Sequence, residues 1–118
     1  MRNDKENIIV DMTFQFSLEI IKFSELLEEK KKFVLAKQIL KSGTSIGANV
    51  REAQNAESKA DFIHKLKIAA KEADEIEYWL LLCDKSESYP KVNKSLFEQI
   101  ESIIKVISKI IATSKNKK

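Results

Sequence analysis

Hydrophobic residues recur at helical spacing along most of the chain. The clearest run begins at Phe62 and ends at Cys83, and its apolar positions alternate between steps of four and three residues, the heptad spacing of a packed helix. These positions are Phe62, Leu66, Ala69, Ala73, Ile76, Leu80 and Cys83. The pattern predicts a helix that buries one continuous stripe.

Three other runs predict three further helices. The first has an apolar stripe of Phe16, Ile20, Phe23 and Leu27, widened by Leu18 and Ile21. The second carries Leu35, Ile39, Ile46, Val50 and Ala53. The last shows two neighbouring stripes, one of Leu96, Ile100, Ile103, Ile107 and Ile110 and one of Phe97, Ile104 and Ile111.

Local signals mark where these helices end. Residues 28–32 interrupt the first stripe, Ser58 is available to cap the third helix, and residues 86–93 hold the single proline, Pro90. With 118 residues, 2 glycines and 1 proline, the chain has the length of one domain and little turn chemistry for β-hairpins. We therefore predict a single all-α domain over residues 1–118, folded as an antiparallel up-down-up-down four-helix bundle.

The apolar surface is wider than one bundle needs. The last helix has two stripes, and the third adds Ile63, Tyr78, Trp79 and Leu82 outside its seam, which predicts a homo-oligomer. Tyr78 and Trp79 are candidate contacts between subunits, because large aromatic side chains often anchor interfaces. For Trp79, packing in the core of the subunit is the favoured alternative.

A line of polar side chains follows one face of the second helix. It consists of Gln38, Ser42, Ser45, Asn49 and Glu52, again at alternating steps of four and three. One interpretation is a packing feature, in which small side chains, helped by Gly43 and Gly47, let a neighbouring backbone approach and the hydroxyls bond along the helix. The other is a buried hydrogen-bond network that fixes the register of the bundle or of the subunits. Both can hold together.

The same segment carries a family resemblance. The run QxxxSxxSIxxNVxE, from Gln38 to Glu52, is followed by Lys59, Asp61, Phe62, Ile63, Leu66, Ile68, Ala69, Glu75, Tyr78 and Leu80. This pattern covers most of the chain and resembles the small four-helix-bundle family named after 23S rRNA intervening sequences. A more distant similarity is to the accessory variability protein of diversity-generating retroelements. The chain departs from the commonest pattern at Ala53, where many members carry glycine, and after Leu80, where the next residue is apolar rather than basic.

The resemblance implies an antiparallel bundle that assembles into a pentameric ring with a central pore. The retroelement relative implies a scaffold that binds nucleic acid and a partner protein. The departures leave the expected fold intact and weaken the transfer of a basic surface.

Nucleic-acid binding therefore depends on this chain's own cations. The candidates are Lys37, Lys41, Arg51, Lys59, Lys65, Lys67 and Lys71, with Lys30 to Lys32 as a further cluster. Lys and Arg exceed Asp and Glu by only 21 to 18, so a solvated charged surface is the simpler interpretation. In a ring, however, each cation is repeated around the axis, which favours binding to the RNA or DNA backbone.

The sequence gives little support for catalysis or a cofactor. Asp61 and His64 are three residues apart, like half of a di-iron site, but such a site needs a second copy and more glutamates, and His64 is the only histidine. The single cysteine, Cys83, lies on the apolar seam and suits a buried thiol. We predict no enzyme, no metal and no cofactor.

Targeting signals are also not evident. The polar N-terminal segment does not resemble a signal peptide and no window has the apolar length of a membrane span, so we expect a cytoplasmic protein with no membrane partner. The sequence predicts a ring-like scaffold or adaptor that binds itself and RNA or DNA. The alternative is a structural module that binds only proteins.

Overall fold

A computed structural model describes residues 4–116, with side chains from Ile8 to Asn116. Its elements are four α-helices: α1 (Asp4–Glu29), α2 (Phe33–Ala53), α3 (Lys59–Lys85) and α4 (Lys94–Asn116). The described part of the chain contains no strand. The all-α prediction is confirmed.

Short connections make neighbouring helices antiparallel. The Ser24 hydroxyl near the end of α1 donates to the Ala36 carbonyl near the start of α2, at 2.9 Å. At the opposite end of α2, the Lys65 ammonium on α3 lies 3.0 Å from the Glu52 carboxylate. Sequence neighbours therefore pack side by side, with α1 and α3 pointing in the same direction.

Helix α4 closes the bundle between α3 and α1. One groove between α1 and α4 is lined by Leu26 and Leu96, and another by Met12 and Ile103. The end of α1 therefore faces the start of α4, so these two helices are also antiparallel. This is the up-down-up-down order, in a bundle that measures 51 × 21 × 19 Å.

The core collects the predicted stripes of all four helices. The α1 stripe is longer than predicted, because Thr13 and Ile9 are also buried, one and two turns before Phe16. The prediction for Leu18 and Ile21 was wrong: they are 40% and 39% exposed. Leu18 and Ile21 point away from the bundle axis, because the buried residues of α1 lie on the opposite side of the helix.

The second stripe of α4 contributes to the core of its own subunit. Phe97, Ile104 and Ile111 are half-buried and pack against that core. A contact of their exposed sides with another subunit stays a prediction. The exposed apolar side chains lie on α1, α2 and α3.

Hydrogen bonds fix the predicted boundaries. The Ser58 hydroxyl caps α3 by accepting a hydrogen bond from the Asp61 amide at 3.0 Å, as predicted. In the connection over residues 86–93, the Val92 amide donates to the Asp84 carboxylate and Val92 itself is buried. The turn after α1 differs from a typical one, since Lys31 occupies the left-handed region at φ 62°, where glycine is the usual residue.

Two glycines let α1 and α2 approach closely. A Cβ atom at Gly43 would lie 2.7 Å from the Cγ2 atom of Ile20, whereas one at Gly47 would lie 3.4 Å from the Thr13 carbonyl oxygen and 3.5 Å from the Ser17 hydroxyl. The 2.7 Å distance at Gly43 is a steric clash, whereas the distances of 3.4 and 3.5 Å at Gly47 are ordinary contacts. The close approach expected of these glycines is therefore present, and it is made toward α1.

This difference predicts opposite effects of the same substitution. Gly43→Ala should lower the free energy of unfolding by about 1–3 kcal/mol, because Ile20 is fully buried and must move to make room. Gly47→Ala should raise it by up to about 1 kcal/mol, because alanine favours the helix. Urea unfolding followed by circular dichroism measures both. Equal losses in the two variants would contradict the proposed role of Gly43.

Candidate nucleic-acid and subunit interfaces

The polar line on α2 bonds mainly along its own helix. The Ser42 hydroxyl donates to the Gln38 carbonyl at 2.7 Å, the Ser45 hydroxyl to the Lys41 carbonyl at 2.7 Å, and the Asn49 amide to the Ser45 carbonyl at 2.9 Å. These i to i−4 bonds are those of the packing interpretation. A role of Gln38, Ser42, Ser45 and Asn49 between subunits stays a prediction.

Glu52 is the member of this line that reaches another helix. Its carboxylate accepts a hydrogen bond from the Lys65 ammonium at 3.0 Å, across the seam between α2 and α3. This hydrogen bond raises the pKa of Lys65. Because both side chains are partly exposed, the pair contributes little stability but fixes where the two side chains lie.

The candidate cations are distributed over more than one surface. Lys37, Lys41, Arg51, Lys59, Lys67 and Lys71 are exposed, and Lys65 is half-buried beside Glu52. Lys41 acts on the carboxylate of Glu72 across the seam between α2 and α3, and Lys71 acts on it from the adjacent position on α3, on the outer face of that helix. Lys37 lies one turn from Lys41 on α2. We call Lys37, Lys41 and Lys71 the lysine cluster.

Other cations lie apart from the lysine cluster. Arg51 lines a groove between α1 and α2, beside Phe14 and Thr44. Lys67 follows Lys65 by two residues on α3, so it points to the flank of that helix away from α2. Lys59 is the first residue of α3. The sequence grouped these residues by type, and the helical arrangement separates them.

A carboxylate moderates the charge of the cluster. Partial burial raises the pKa of Glu72, as does the nearby Glu75, while Lys41 and Lys71 act in the opposite direction. An acidic side chain therefore lies beside two of the lysines, and the positive field of one subunit is modest. Any strong field must come from repetition of the subunit.

The two adjacent aromatic residues on α3 face different environments. Trp79 is half-buried and packs against the core, which agrees with the favoured interpretation of this residue. Tyr78 is 57% exposed, and its ring centroid lies 5.4 Å from that of Trp79 with the planes tilted by 58°. Tyr78 is therefore the available surface anchor of the pair.

Exposed apolar side chains form two patches. The α1–α2 patch contains Leu18 and Ile21 on α1 and Phe33 and Leu40 on α2. The α3 patch contains Tyr78, Leu81 and Leu82. Sequence periodicity did not reveal the first patch, because Phe33 and Leu40 fit no buried stripe and their exposure depends on how the helices are rotated in the bundle.

The groups considered for catalysis have structural surroundings. The Asp61 carboxylate accepts a hydrogen bond from the Glu57 amide at 3.2 Å and so belongs to the start of α3, while His64 is exposed. Burial raises the pKa of the Cys83 thiol to about 11, so the thiol is protonated at neutral pH. Within residues 4–116, no group of three or more His, Cys, Asp or Glu side chains is placed to hold a metal ion.

Comparison with known proteins identifies the family. A family model described as 23S rRNA-intervening sequence protein matches residues 5–112. The chain belongs to this family. The match spans all four helices of the bundle, including the polar line on α2, so the resemblance carried by the run from Gln38 to Glu52 is confirmed.

A solved member of the S23 ribosomal protein family has a similar structure. This protein of unknown function, from Bacteroides thetaiotaomicron VPI-5482, is 44% identical to the chain and aligns with a TM-score of 0.84. The alignment covers 92% of this chain and 98% of that one. A search of curated proteins gave no match. Within residues 4–116, no helix is both long enough and apolar enough to cross a bilayer.

Proposed function

We propose that this family member is a non-enzymatic cytoplasmic scaffold or adaptor. In this proposal it assembles with copies of itself into a ring, a pentamer, and binds the backbone of RNA or DNA. The observation that carries the nucleic-acid part is the lysine cluster, where three exposed ammonium groups share the outer surface of α2 and α3. Lysine is a common partner of phosphate oxygens.

Assembly gives this modest cluster its strength. A ring repeats Lys37, Lys41 and Lys71 at equal intervals around one axis, so that several phosphates of one strand are neutralised by one particle. Each neutralised phosphate releases condensed counterions, which is the main source of backbone affinity. The particle therefore binds far more tightly than a single subunit.

The same surface is poorly suited to reading bases. Two exposed aromatic side chains lie near the cluster: Phe33 is four residues before Lys37 on α2, and Tyr78 is seven residues after Lys71 on α3. Sequence-specific recognition of single strands uses several stacked aromatics and hydrogen bonds to base edges. The proposed interaction is therefore with the sugar-phosphate backbone.

A second candidate is a structural module that binds only proteins. The exposed apolar side chains favour it, above all Phe33 at 60% and Val34 at 76% exposure at the start of α2. Apolar patches of this kind are typical of protein contacts. The two candidates differ in how their affinity depends on salt, because screening weakens phosphate contacts and leaves apolar contacts intact.

A titration distinguishes the two candidates. Structured RNA and duplex DNA are added to the purified assembly at about 50 mM and about 200 mM salt, and binding is followed by fluorescence anisotropy. With six or more phosphate contacts, affinity should fall by about a thousandfold between these conditions. If no binding is detected even at the lower salt concentration, the nucleic-acid proposal is wrong and partner proteins become the target.

A further inference from the structure

We infer that the α3 patch of one copy docks on the α1–α2 patch of the next copy, in a head-to-tail contact. This inference rests on the assembly proposed above and specifies the surfaces that form it. The partner is a second copy of this chain, because the two patches match in position along the bundle, in apolar character and in charge.

The two patches lie on opposite sides of the bundle. On α2, Phe33 and Leu40 lie on the flank toward α1, the flank on which Gly47 contacts Thr13. On α3, Lys65 and Glu72 mark the flank toward α2. Helical spacing places Leu81 on the side of α3 opposite Glu72 and Tyr78 on the outer face of the helix. One patch therefore faces away from the other, and two copies cannot join both patches at once.

The patches also lie at the same height along the bundle. Ser24 on α1 is level with Ala36 on α2, because their atoms are hydrogen bonded. Lys41 on α2 is close to Glu72 on α3. Ala36 lies five residues before Lys41 on α2, and Tyr78 lies six residues after Glu72 on α3. Because α2 and α3 are antiparallel, these two steps lead in the same direction and bring Ala36 and Tyr78 to within about one turn of the same height. Copies related by rotation about an axis parallel to the bundle have equal heights, so Tyr78 of one copy can meet the α1–α2 patch of the next.

Charged residues continue both patches in a complementary order. On α3, Asp74, Tyr78, Leu81 and Lys85 follow one another at steps of four, three and four. The facing stripes are Phe33, Lys37 and Leu40 on α2 and Leu18, Ile21, Glu25 and Glu28 on α1. All these charged side chains are exposed.

The direction of the helices decides which charges meet. Because α1 and α3 run the same way, docking at equal height brings Asp74 toward Lys37 and Lys85 toward Glu28. Both pairs are of opposite sign, and opposite charges at a contact orient the partners and exclude the reversed arrangement. The reversed arrangement would bring Lys85 toward Lys37.

A head-to-tail contact has a definite consequence for the assembly. An open assembly keeps one unused patch of each kind, one at either end, until the ring closes, so growth continues beyond the dimer. The contact also takes Lys37 into the interface. Lys71 lies on the same stripe of α3, three residues before Asp74, and borders the contact, so Lys41 remains as the member of the lysine cluster outside it.

The test uses one charged substitution in each patch. Phe33→Glu blocks the α1–α2 patch and Tyr78→Glu blocks the α3 patch. Each should weaken association by about thirtyfold or more, which corresponds to the loss of one interface hot spot of about 2 kcal/mol. Native mass spectrometry should then show monomers for each variant alone. An equimolar mixture should form dimers and nothing larger, because one intact patch of each kind remains.

Controls separate this inference from the proposed assembly. Val34→Glu changes the neighbouring and more exposed residue, which lies outside both patches, and should leave the mass unchanged. Circular dichroism checks that every variant remains helical. A monomeric wild-type protein overturns both the assembly and the docking. A wild-type oligomer that survives either Phe33→Glu or Tyr78→Glu, or a mixture that stays monomeric, overturns the docking alone.

A charge exchange tests the direction of docking. Lys37→Glu should shift the particle toward smaller species at low salt, and adding Asp74→Lys in the same chain should restore the wild-type mass. In the double variant, position 37 is negative and position 74 is positive, so the two facing side chains again have opposite charges. If Asp74→Lys worsens the defect of Lys37→Glu, the proposed arrangement of α3 on the α1–α2 patch is wrong.

Discussion

Leu27→Ala should lower the free energy of unfolding by about 2–5 kcal/mol, a large share of the roughly 5–15 kcal/mol that a domain of this size has. Leu27 is fully buried and belongs to the core cluster formed by all four helices. Removing its branched end forfeits the transfer free energy of the buried methyl groups. The surrounding core is made of side chains from several helices and closes the resulting cavity only in part.

The adjacent residue is a matched control. Leu26 has the same side chain on the same helix but is 36% exposed and borders a groove open to solvent. Leu26→Ala should therefore cost well under half as much as Leu27→Ala. Urea unfolding at several protein concentrations measures both and reveals any contribution from assembly. Similar losses in the two variants would show that α1 is rotated differently about its axis.

Charge reversal in the lysine cluster should have the largest effect on nucleic-acid binding. Lys41→Glu with Lys71→Glu replaces two positive charges by two negative ones in every subunit, at the surface that also carries the Glu72 carboxyl group. Affinity for structured RNA at near-physiological salt should fall by about a hundredfold or more, because backbone binding depends on the number of phosphates neutralised. Each lost phosphate contact should also reduce the salt slope by about 0.7–0.9.

A second double variant makes the same change in net charge elsewhere. Lys105 and Lys109 are exposed on α4, away from α2 and outside both apolar patches. Lys105→Glu with Lys109→Glu should leave the affinity within a few-fold of the wild-type value. Equal losses in the two double variants would mean that binding follows total charge and that the surface of α2 and α3 has no special role.

The proposals for assembly and binding depend on each other in a way that can be measured. The lysine cluster of one subunit is small, and Glu72 reduces its field further. A chain held as a monomer by Tyr78→Glu keeps Lys41 and Lys71 but presents them only once. It should bind RNA much more weakly than the wild-type particle.

The sequence by itself determined the helices of this protein. Steps of three and four between apolar residues are a property of the helix repeat, so Phe62 to Cys83 could be assigned without knowledge of any partner. The Ser58 cap and the break around Pro90 are equally local. The family was also readable, because the run from Gln38 to Glu52 is a pattern of residue types.

Rotation of the helices and the grouping of charges were decided only by the tertiary structure. Leu18 and Ile21 continue an apolar pattern, yet packing of α1 against α2 and α4 leaves them exposed. Phe97 and Ile104 form a second apolar stripe, yet α3 provides enough contact to half-bury them. Local spacing fixes which residues share a face of one helix. The faces that become surface depend on the neighbouring helices, because a side chain is buried only where another element excludes water from it.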